Sequence, residues 1–336
     1  MPQNKRFINI YYVIDNMEQE IQLDKKDRKI IEQLEINARQ SNTQIARQVG
    51  LSKDAVSYRI KNLEKAGVIK GYYSVLNISK LGYLTYKLML SFQNTNLKTE
   101  EDIVNYLKKD KNVGWLVSCE GDYNLIAVLW VESPFAFEKF LQKFLEKYSK
   151  HIKGRDIMMI TENHSSRKNY LFGKSNNLDI FYGNERKEEL DEKDKQIIYL
   201  LANNSTIPLY EISEKIKLTP EAVSHRIKQL VSRNLIQAFR PIINSLLLGY
   251  EYYNVLFRLK KFENVEKIFL FFNSCPNIIY FVKYLGSFDV GIDLEVKNSQ
   301  ELRKILQEIR DLFSQDIESY IPILIHAEHK ISYFPE

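Results

Sequence analysis

The segment LSKDAVSYRIKNL, residues 51–63, carries polar side chains at a spacing that suits contact with an anionic polymer. In a helix, Val56, Ile60 and Leu63 share one apolar face, because they lie four and three residues apart. Ammonium groups pair with phosphates, and hydroxyl groups exchange hydrogen bonds with base edges in the major groove of DNA. The alternative is an amphipathic surface helix with a solvated face. The opposite, polar face carries Lys53, Asp54, Ser57, Tyr58 and Lys61.

The same pattern occurs a second time, in LTPEAVSHRIKQL at residues 218–230. Residues 23–70 align without a gap with residues 190–237, at an offset of 190 − 23 = 167, and 18 of the 48 positions are identical. The identical positions are mostly apolar, whereas most exposed positions differ. One fold is therefore predicted twice, with two different surfaces. In the second copy the polar face carries Ser224, His225 and Lys228.

Short capped helices must hold each polar face in place. Asp24 with Asp27, and Ser41 with Gln44, have the spacing of a capping box, in which each side chain accepts from the other residue's backbone N–H. Ser52 is suited to cap the helix that follows it. Three short helices joined by tight turns predict a helix-turn-helix unit.

The run VIKGYYSVL, residues 68–76, follows the third helix and is predicted to form a two-stranded wing. Such a wing would carry Lys70, Tyr72 and Tyr73 towards a phosphate backbone. The alternative is that the two tyrosines pack against the helices.

From about Tyr83 the pattern becomes β-α-β-β-α-β, which is the order of a ferredoxin-like domain, and the second half repeats it. Gly121-Asp122 and Gly286-Ser287 mark the hairpin turns. The predicted fold class is α+β, with two winged helix-turn-helix domains alternating with two βαββαβ domains. The chain is predicted to begin with an N-terminal arm at 1–22, which contains a strand-like run at 7–14. The first half then has a winged helix at 23–80 and a βαββαβ domain at 81–163. A polar linker at 164–189 leads to the second half, with a winged helix at 190–247 and a βαββαβ domain at 248–336.

Composition limits the classes of protein that this chain can be. The 336 residues carry a formal net charge of +5, which permits a polyanionic partner without requiring one. Cys119 and Cys275 are too few for a disulfide framework or a thiolate zinc site. No apolar run predicts a membrane span or a signal peptide, so we expect a cytoplasmic protein without a membrane partner.

Motifs for catalysis or metal binding are not recognisable in the sequence. It has no Gly-rich phosphate loop, paired catalytic carboxylates or nucleophile motif, so we expect a protein that is not an enzyme and has no cofactor. His326 and His329 are three residues apart, which places them on opposite faces of a strand. We therefore expect surface histidines and no metal site.

Four motifs occur at matching places in both halves of the chain. The opening LDKKDRKII matches Leu190–Ile198, and the S-x-x-A-V-x-x-R-I run of Ser52–Ile69 matches Thr219–Ile236. Further along, Leu81-Gly82-Tyr83 matches Leu248-Gly249-Tyr250, and Gly121–Leu125 matches Gly286–Val290. In combination they resemble the Lrp/AsnC (feast/famine) family of transcription regulators. The resemblance covers nearly everything except residues 1–22 and 164–189, and the chain looks like two such regulators fused in tandem.

The resemblance implies that both winged helices bind double-stranded DNA. Arg59 and Arg226 would flank the recognition faces, where they could contact phosphate or form an ion pair within the domain. The full predicted set of DNA-binding residues is Lys53, Ser57, Tyr58, Arg59, Lys61, Lys70, Ser224, His225, Arg226 and Lys228.

The family also implies a small-molecule effector, often an amino acid, near each hairpin turn. An acid usually stands at the fourth place of the turn, where Asn124 departs from the pattern and Asp289 conforms to it. The alternative at each turn is a hairpin without a ligand. The predicted effector residues are Gly121, Asp122, Asn124, Gly286, Ser287 and Asp289.

Two other functions fit this domain plan. Sirohaem decarboxylases share it, but they resemble the chain in fold only, since no histidine lies within residues 115–119 or 280–284 to move a proton. A ligand-sensing or assembly protein with reduced DNA binding is the third interpretation, because Glu221 would repel phosphate. Under the regulator interpretation, a fused chain could pair its own two sheets into an intramolecular pseudo-dimer, and homo-oligomers remain open.

Overall fold

The computed structural model describes residues 20–174, 180–183, 185–332 and 334. The predicted strand-like run at 7–14 and most of the predicted N-terminal arm lie outside the described residues. The fold class is α+β, as predicted. The first half contains α1 (Lys25–Ile36), α2 (Asn42–Val49), α3 (Lys53–Lys65), β1 (Ile69–Leu76), β2 (Leu84–Phe92), α4 (Leu97–Lys109), β3 (Val113–Glu120), β4 (Leu125–Val131), α5 (Pro134–Tyr148) and β5 (Ile152–Ser165).

The second half repeats this order after a short strand. Its elements are β6 (Ile180–Tyr182), α6 (Glu192–Asn203), α7 (Leu209–Ile216), α8 (Pro220–Ser232), β7 (Ile236–Ile243), β8 (Glu251–Leu259), α9 (Val265–Ser274), β9 (Ile278–Leu285), β10 (Val290–Val296), α10 (Ser299–Phe313) and β11 (Ile317–Ile331). Short 3-10 turns lie at Ser149–His151, Asn169–Phe172, Leu246–Leu248 and Phe262–Asn264.

The helix caps form as the sequence predicts. Both capping boxes of the first half are present, at the start of α1 and of α2. Ser52 accepts a hydrogen bond from the backbone of Ala55 at the start of α3, and Thr219 does the same for Ala222 at the start of α8. These local signals fix where each recognition helix begins, since a cap satisfies amides that have no partner within the helix.

Each half contributes a four-stranded antiparallel sheet, in the order β5-β2-β4-β3 and β11-β8-β10-β9. Among the described residues, the two sheets join at both ends, because β5 pairs with β9 and β11 pairs with β3. Their facing sides enclose an apolar core that includes Met89, Val117, Leu256 and Ile323. The chain therefore pairs its own two sheets, as the intramolecular pseudo-dimer prediction requires.

The predicted two-stranded wing is wrong. β1 does not fold back on itself but pairs with β7 of the other half in an antiparallel ribbon. Leu76 at the end of β1 packs into the core of the second helix-turn-helix unit, and Ile243 at the end of β7 packs into the core of the first. The segment resembles a hairpin because Gly71 interrupts it, but the partner strand lies about 170 residues away in sequence.

The stretch predicted as a polar linker, residues 164–189, is partly structured. β5 continues to Ser165, and β6 adds to β5 at the edge of the large sheet. Leu171 is buried against the first helix-turn-helix unit. Several polar side chains in the described part of this stretch also have partners within the fold. One of them, Lys168, donates a 2.6 Å hydrogen bond to Glu295.

Candidate nucleic-acid interface

The side chains predicted for DNA contact on α3 and α8 have different degrees of exposure. On α3, Lys53 and Lys61 are exposed, and Tyr58 is 68% exposed despite its aromatic ring. Val56 and Leu63 are buried and dock this helix onto α1 and α2. An exposed tyrosine beside two lysines is suited to contact with bases and phosphates. Ser57 is half-buried on the same helix.

The second recognition helix has the same apolar anchor and a different outer face. Val223, Ile227 and Leu230 are buried in its domain core. His225 and Lys228 are exposed, and Ser224 is half-buried. Pro220 occupies the first helical position, where Lys53 stands in the first half. The two faces therefore offer different donors to a nucleic acid.

Arg59 and Arg226 lie within ion pairs inside their own domains. Each guanidinium spans two carboxylates at the start of the first helix of its unit. Arg59 lies 2.7 Å from both Asp24 and Asp27. These hydrogen bonds raise the pKa of Arg59 above its usual range. Of the two roles the sequence left open, the geometry favours the structural one. Arg226 makes the same pair with Asp191 at 2.8 Å and Asp194 at 2.7 Å.

The residues predicted for the wing lie along the β1–β7 ribbon. Lys70 is exposed there. The Tyr72 hydroxyl donates a 2.7 Å hydrogen bond to Glu64 at the end of α3. Burial raises the pKa of Tyr73 to about 12. The tyrosines thus pack within the fold, in agreement with the alternative interpretation of this segment, and Lys70 alone keeps the exposure that a phosphate contact needs.

Contacts across the ribbon fix the two helix-turn-helix units relative to each other. The backbone N–H of Ala38 donates to the Phe239 carbonyl at 2.8 Å, and that of Ser205 donates to the Tyr72 carbonyl at 3.1 Å. Arg39 adds a charged bridge, because its guanidinium donates to the carbonyls of Ser205 and Ile207. Sequence reasoning missed Arg39. Its counterpart by the internal repeat is Thr206, so the repeat pattern gave no signal.

The flanks of the two recognition helices also differ. In the second half, Phe239 and Val231 stand where the hydrogen-bonded Tyr72 and Glu64 stand in the first. Val231 is 42% exposed. An open groove of about 400 Å³ lies at this place beside α8, and its lining includes Val231, Phe239, Arg39 and Lys228. The sequence shows that these residues differ between the halves, but only the structure shows that they lie beside the β1–β7 ribbon.

The hairpin turns use their fourth residues to hold the fold. Asn124 accepts a 2.8 Å hydrogen bond from the Phe92 backbone, and Asp289 accepts one of 2.7 Å from the Leu259 backbone. These two side chains perform the same structural task in the two halves. An effector amine at the first turn would have to share the only side-chain oxygen of Asn124, whereas the Asp289 carboxylate has a second oxygen besides the one that Leu259 binds.

The remaining predicted effector residues lie on the same two turns. Gly121 and Asp122 are exposed, and so is Gly286. The Ser287 hydroxyl donates to Asp156, which also accepts a 2.7 Å hydrogen bond from Tyr123 of the first turn. The structure therefore joins Ser287 to the first turn through Asp156, a contact between halves that the sequence did not indicate.

The structure brings a histidine beside the stretch that lacked one in sequence. His329 on β11 lies 2.7 Å from the Ser118 hydroxyl on β3, because these strands pair across the two halves. Burial lowers the pKa of His329 below its usual value. His326 is exposed, as expected, but His329 is half-buried, so its assignment as a surface residue was wrong. The bulges in β11 change the alternation of its faces.

Among the described residues, no group of three or more His, Cys, Asp or Glu side chains is arranged to hold a metal ion. None of the helices in the described part of the chain combines the length and apolar character that a membrane span requires. Cys119 is buried, and burial raises the pKa of its thiol to about 12, which makes it a poor nucleophile.

Comparison with known proteins identifies both helix-turn-helix units. A winged helix-turn-helix DNA-binding family matches residues 23–70, and an AsnC-type helix-turn-helix domain matches residues 190–231. The transcriptional regulator LrpA of Pyrococcus horikoshii is 34% identical over 110 residues, which cover 32% of this chain and 75% of the relative. The leucine-responsive regulatory protein of Rhizobium meliloti is 32% identical over 128 residues, covering 36% and 78%.

Among solved structures, the sirohaem decarboxylase NirDL is similar over almost the whole chain. The match has a TM-score of 0.63 and covers 91% of this chain and 92% of that one, at 13% sequence identity. This likeness shows that the duplicated fold is shared, and at such identity it shows the fold alone. The sequence matches carry the family assignment, and by them the chain belongs to the Lrp/AsnC family of transcription regulators, with the helix-turn-helix unit duplicated in tandem.

Proposed function

We propose that this protein is a sequence-specific DNA-binding transcription regulator in which one chain reads two unlike half-sites. The observation that carries the proposal is the β1–β7 ribbon, which ties two exposed and different recognition helices into one unit. In a helix-turn-helix dimer, two recognition helices at a fixed separation read two half-sites. Here the two helices come from one chain, so binding does not require a second copy.

The difference between the helices sets the expected form of the DNA site. Tyr58 in the first half corresponds to His225 in the second, and Lys53 corresponds to Pro220. Different donors read different base edges in the major groove. The preferred site should therefore be asymmetric, with half-sites about 10 base pairs apart or a multiple of that spacing.

Selection from random duplex DNA tests this proposal. We expect an asymmetric paired site that binds at least ~10³-fold more tightly than scrambled duplex at the same salt concentration. A palindromic winner would contradict the reading of unlike half-sites. Weak binding that falls steeply with salt and yields no winner would mean that only backbone charge is contacted, and it would contradict sequence-specific regulation.

An effector remains part of the proposal through the resemblance to the family. The structural support for it is the position of the two turns at the junctions between the sheets, where Ser287 and Tyr123 meet at Asp156. Thermal unfolding in the presence of each amino acid is the direct test. A ligand at 100 times its Kd would stabilise the fold by about 2.7 kcal/mol. Unchanged melting with all of them at millimolar concentrations would exclude an amino-acid effector.

Enzymatic activity on the same fold is the second candidate function. One observation favours it: on a fold shared with NirDL, the contact of His329 with Ser118 supplies a group able to move a proton. The visible absorption spectrum of the purified protein tests this candidate. A tetrapyrrole band that is retained through purification would favour it, whereas a colourless protein that also fails to bind added iron porphyrin would exclude it.

A further inference from the structure

A lysine lies deep between the two sheets, at a place where the two halves face each other. Lys87 on β2 is 2% exposed, and its counterpart by the internal repeat, 87 + 167 = 254, is Asn254 on β8, which is 1% exposed. Lys87 donates a 2.8 Å hydrogen bond to the Asn254 side-chain oxygen. Two equivalent positions in direct contact mark the pseudo-twofold axis that relates the two halves.

The carboxylate that balances this lysine belongs to the second half. Asn254 donates through its amide group to Asp293 on β10, which is 9% exposed. Asp293 lies opposite Asn254 in the β8–β10 register, and Val128 lies opposite Lys87 in the β2–β4 register. Val128 is thus the counterpart of Asp293. The first half carries the cation of this buried cluster, and the second half carries the anion.

We infer that the Lys87–Asn254–Asp293 cluster makes each sheet select the other half of the chain, and not a like half from a second copy, as its partner. Pairing two first halves would place two ammonium groups on the axis with no carboxylate. Pairing two second halves would place two Asp293 carboxylates there with no cation. Charges buried without a partner are strongly destabilising, whereas the observed pairing combines one of each sign.

Other groups around Lys87 support this assignment and do not replace Asp293. The Tyr284 hydroxyl is 3.2 Å from the Lys87 ammonium nitrogen, and the ammonium group lies 5.4 Å from the centre of the tyrosine ring. Burial lowers the pKa of Lys87 to about 8, and Asp293 acts against that shift. A hydroxyl and an aromatic face stabilise a cation less than a carboxylate does. The buried positive charge of Lys87 is therefore balanced mainly by Asp293.

Substitutions within the intact chain can copy each unfavourable pairing. The double variant Asn254→Lys/Asp293→Val gives both halves the axis residues of the first half. The variant Lys87→Asn/Val128→Asp gives both halves those of the second. Combining all four substitutions exchanges the residues and restores one charge of each sign. The control Met89→Leu/Leu256→Met exchanges another pair of counterparts in the same inter-sheet core, without charge.

We expect each double variant to lower Tm by about 5–10 °C, as unpaired buried charges would, and the fourfold exchange to return within about 3 °C of the parent. The apolar control should stay within about 2 °C. Double variants that melt like the parent would overturn the inference, and so would a fourfold exchange no more stable than the doubles. If a double variant yields no folded protein, recovery of folding by the fourfold exchange supports the inference, and failure to recover contradicts it.

Discussion

The two helix-turn-helix units keep the same internal contacts and change their outer surfaces. In both units an arginine of the recognition helix bridges two aspartates at the start of the first helix, with the same atoms and with distances equal to within 0.1 Å. The side-chain caps of the first and third helices and the buried faces are likewise repeated, whereas the middle helix is capped by Ser41 in the first unit and has no side-chain cap at Pro208 in the second. The shared apolar and ion-paired positions therefore build the scaffold. The shared Ser57/Ser224 and Lys61/Lys228 give both faces common polar groups, and Tyr58/His225 and Lys53/Pro220 make the two faces different.

The largest expected effect comes from removing one recognition face at a time. We expect Ser57→Ala/Tyr58→Ala/Lys61→Ala to weaken binding to the selected site by about 10²-fold, because each lost base contact costs about 1–3 kcal/mol. The loss should disappear on DNA whose first half-site is already scrambled. Fluorescence titration at fixed salt measures both affinities.

The matched variant is Ser224→Ala/His225→Ala/Lys228→Ala on α8, which should lose affinity only through the other half-site. Equal losses on both half-sites from either variant would mean that the helices do not divide the site between them. No loss from the α8 variant would favour reduced DNA binding by the second unit, as Glu221 suggests.

A second difference between the halves lies at the hairpin turns. Gly286 has a φ of +155°, and a Cβ there would stand 2.9 Å from the Ile157 carbonyl oxygen. Gly121 has a φ of +124°, but its Cβ would stand 3.7 Å from the nearest backbone oxygen, in ordinary contact. We expect Gly286→Ala to cost about 2–3 kcal/mol of unfolding free energy and Gly121→Ala about 1 kcal/mol. Urea unfolding measures both, and a reversed order would contradict the closer approach of the backbone at Gly286.

The third difference between the halves is Arg39. Its side chain reaches from the first helix-turn-helix unit to the second, whereas the counterpart position in the second unit is Thr206. Arg39→Ala should lower the free energy of unfolding by about 1–2 kcal/mol, because it removes charged hydrogen bonds to two carbonyl groups. Thr206→Ala, at the counterpart position, removes only a local bond to Asn204 and should change stability by less than about 0.5 kcal/mol.

Arg39 also provides a test of how the half-site spacing is set. If the ribbon and its bridges set the separation of the recognition helices, Arg39→Ala should reduce the penalty for inserting about 5 base pairs between half-sites, a half-turn of DNA. The measurement is the ratio of affinities for the two spacings. An unchanged ratio would mean that the β1–β7 ribbon alone holds the two units.

The sequence was sufficient to predict local structure, such as where helices begin, but it contained little information on which distant segments pair. Capping boxes and helix periods predicted α1 to α3 because those signals act within a few residues. Residues 164 and 165 were predicted as the start of a linker but continue β5, because they pair with β9 of the other half. Periodicity shows that a segment suits a strand but does not show which strand it pairs with.

The same limit applies to the candidate site. The exposed positions on α3 and α8 could be predicted from helical periodicity, because that pattern is visible within a few neighbouring residues. The contact between His329 and Ser118 could not, because it joins residues 211 positions apart through a pairing between halves. The Lys87–Asn254 contact was hidden for a related reason. A repeat alignment shows that the two residues are equivalent, but only the closed sheet shows that they touch.

The smallest expected effect concerns the ion pairs that the two units share, and it decides between the two roles of Arg59. The Arg59 and Asp24 side chains are 30% and 53% exposed, so solvent screening limits the pair to about 0.5–1 kcal/mol. We expect Arg59→Gln and Arg226→Gln to lower the free energy of unfolding by this amount at pH 7. A structural role also predicts that the salt dependence of DNA binding stays unchanged, whereas loss of a phosphate contact would reduce the log–log slope by about 0.9.

Acid should remove this difference between variant and parent. A hydrogen bond from the Asp27 backbone, followed by the one from Arg59, lowers the pKa of Asp24 below its usual value, and Asp191 is shifted in the same direction. A carboxylate with a lowered pKa in the folded state contributes stability above its unfolded pKa of about 4, and this contribution disappears as pH falls through the folded value. The unfolding free energies of Arg59→Gln and the parent should therefore converge below about pH 4. A gap that widens in acid would contradict the ion-pair role and return Arg59 to the set of phosphate contacts.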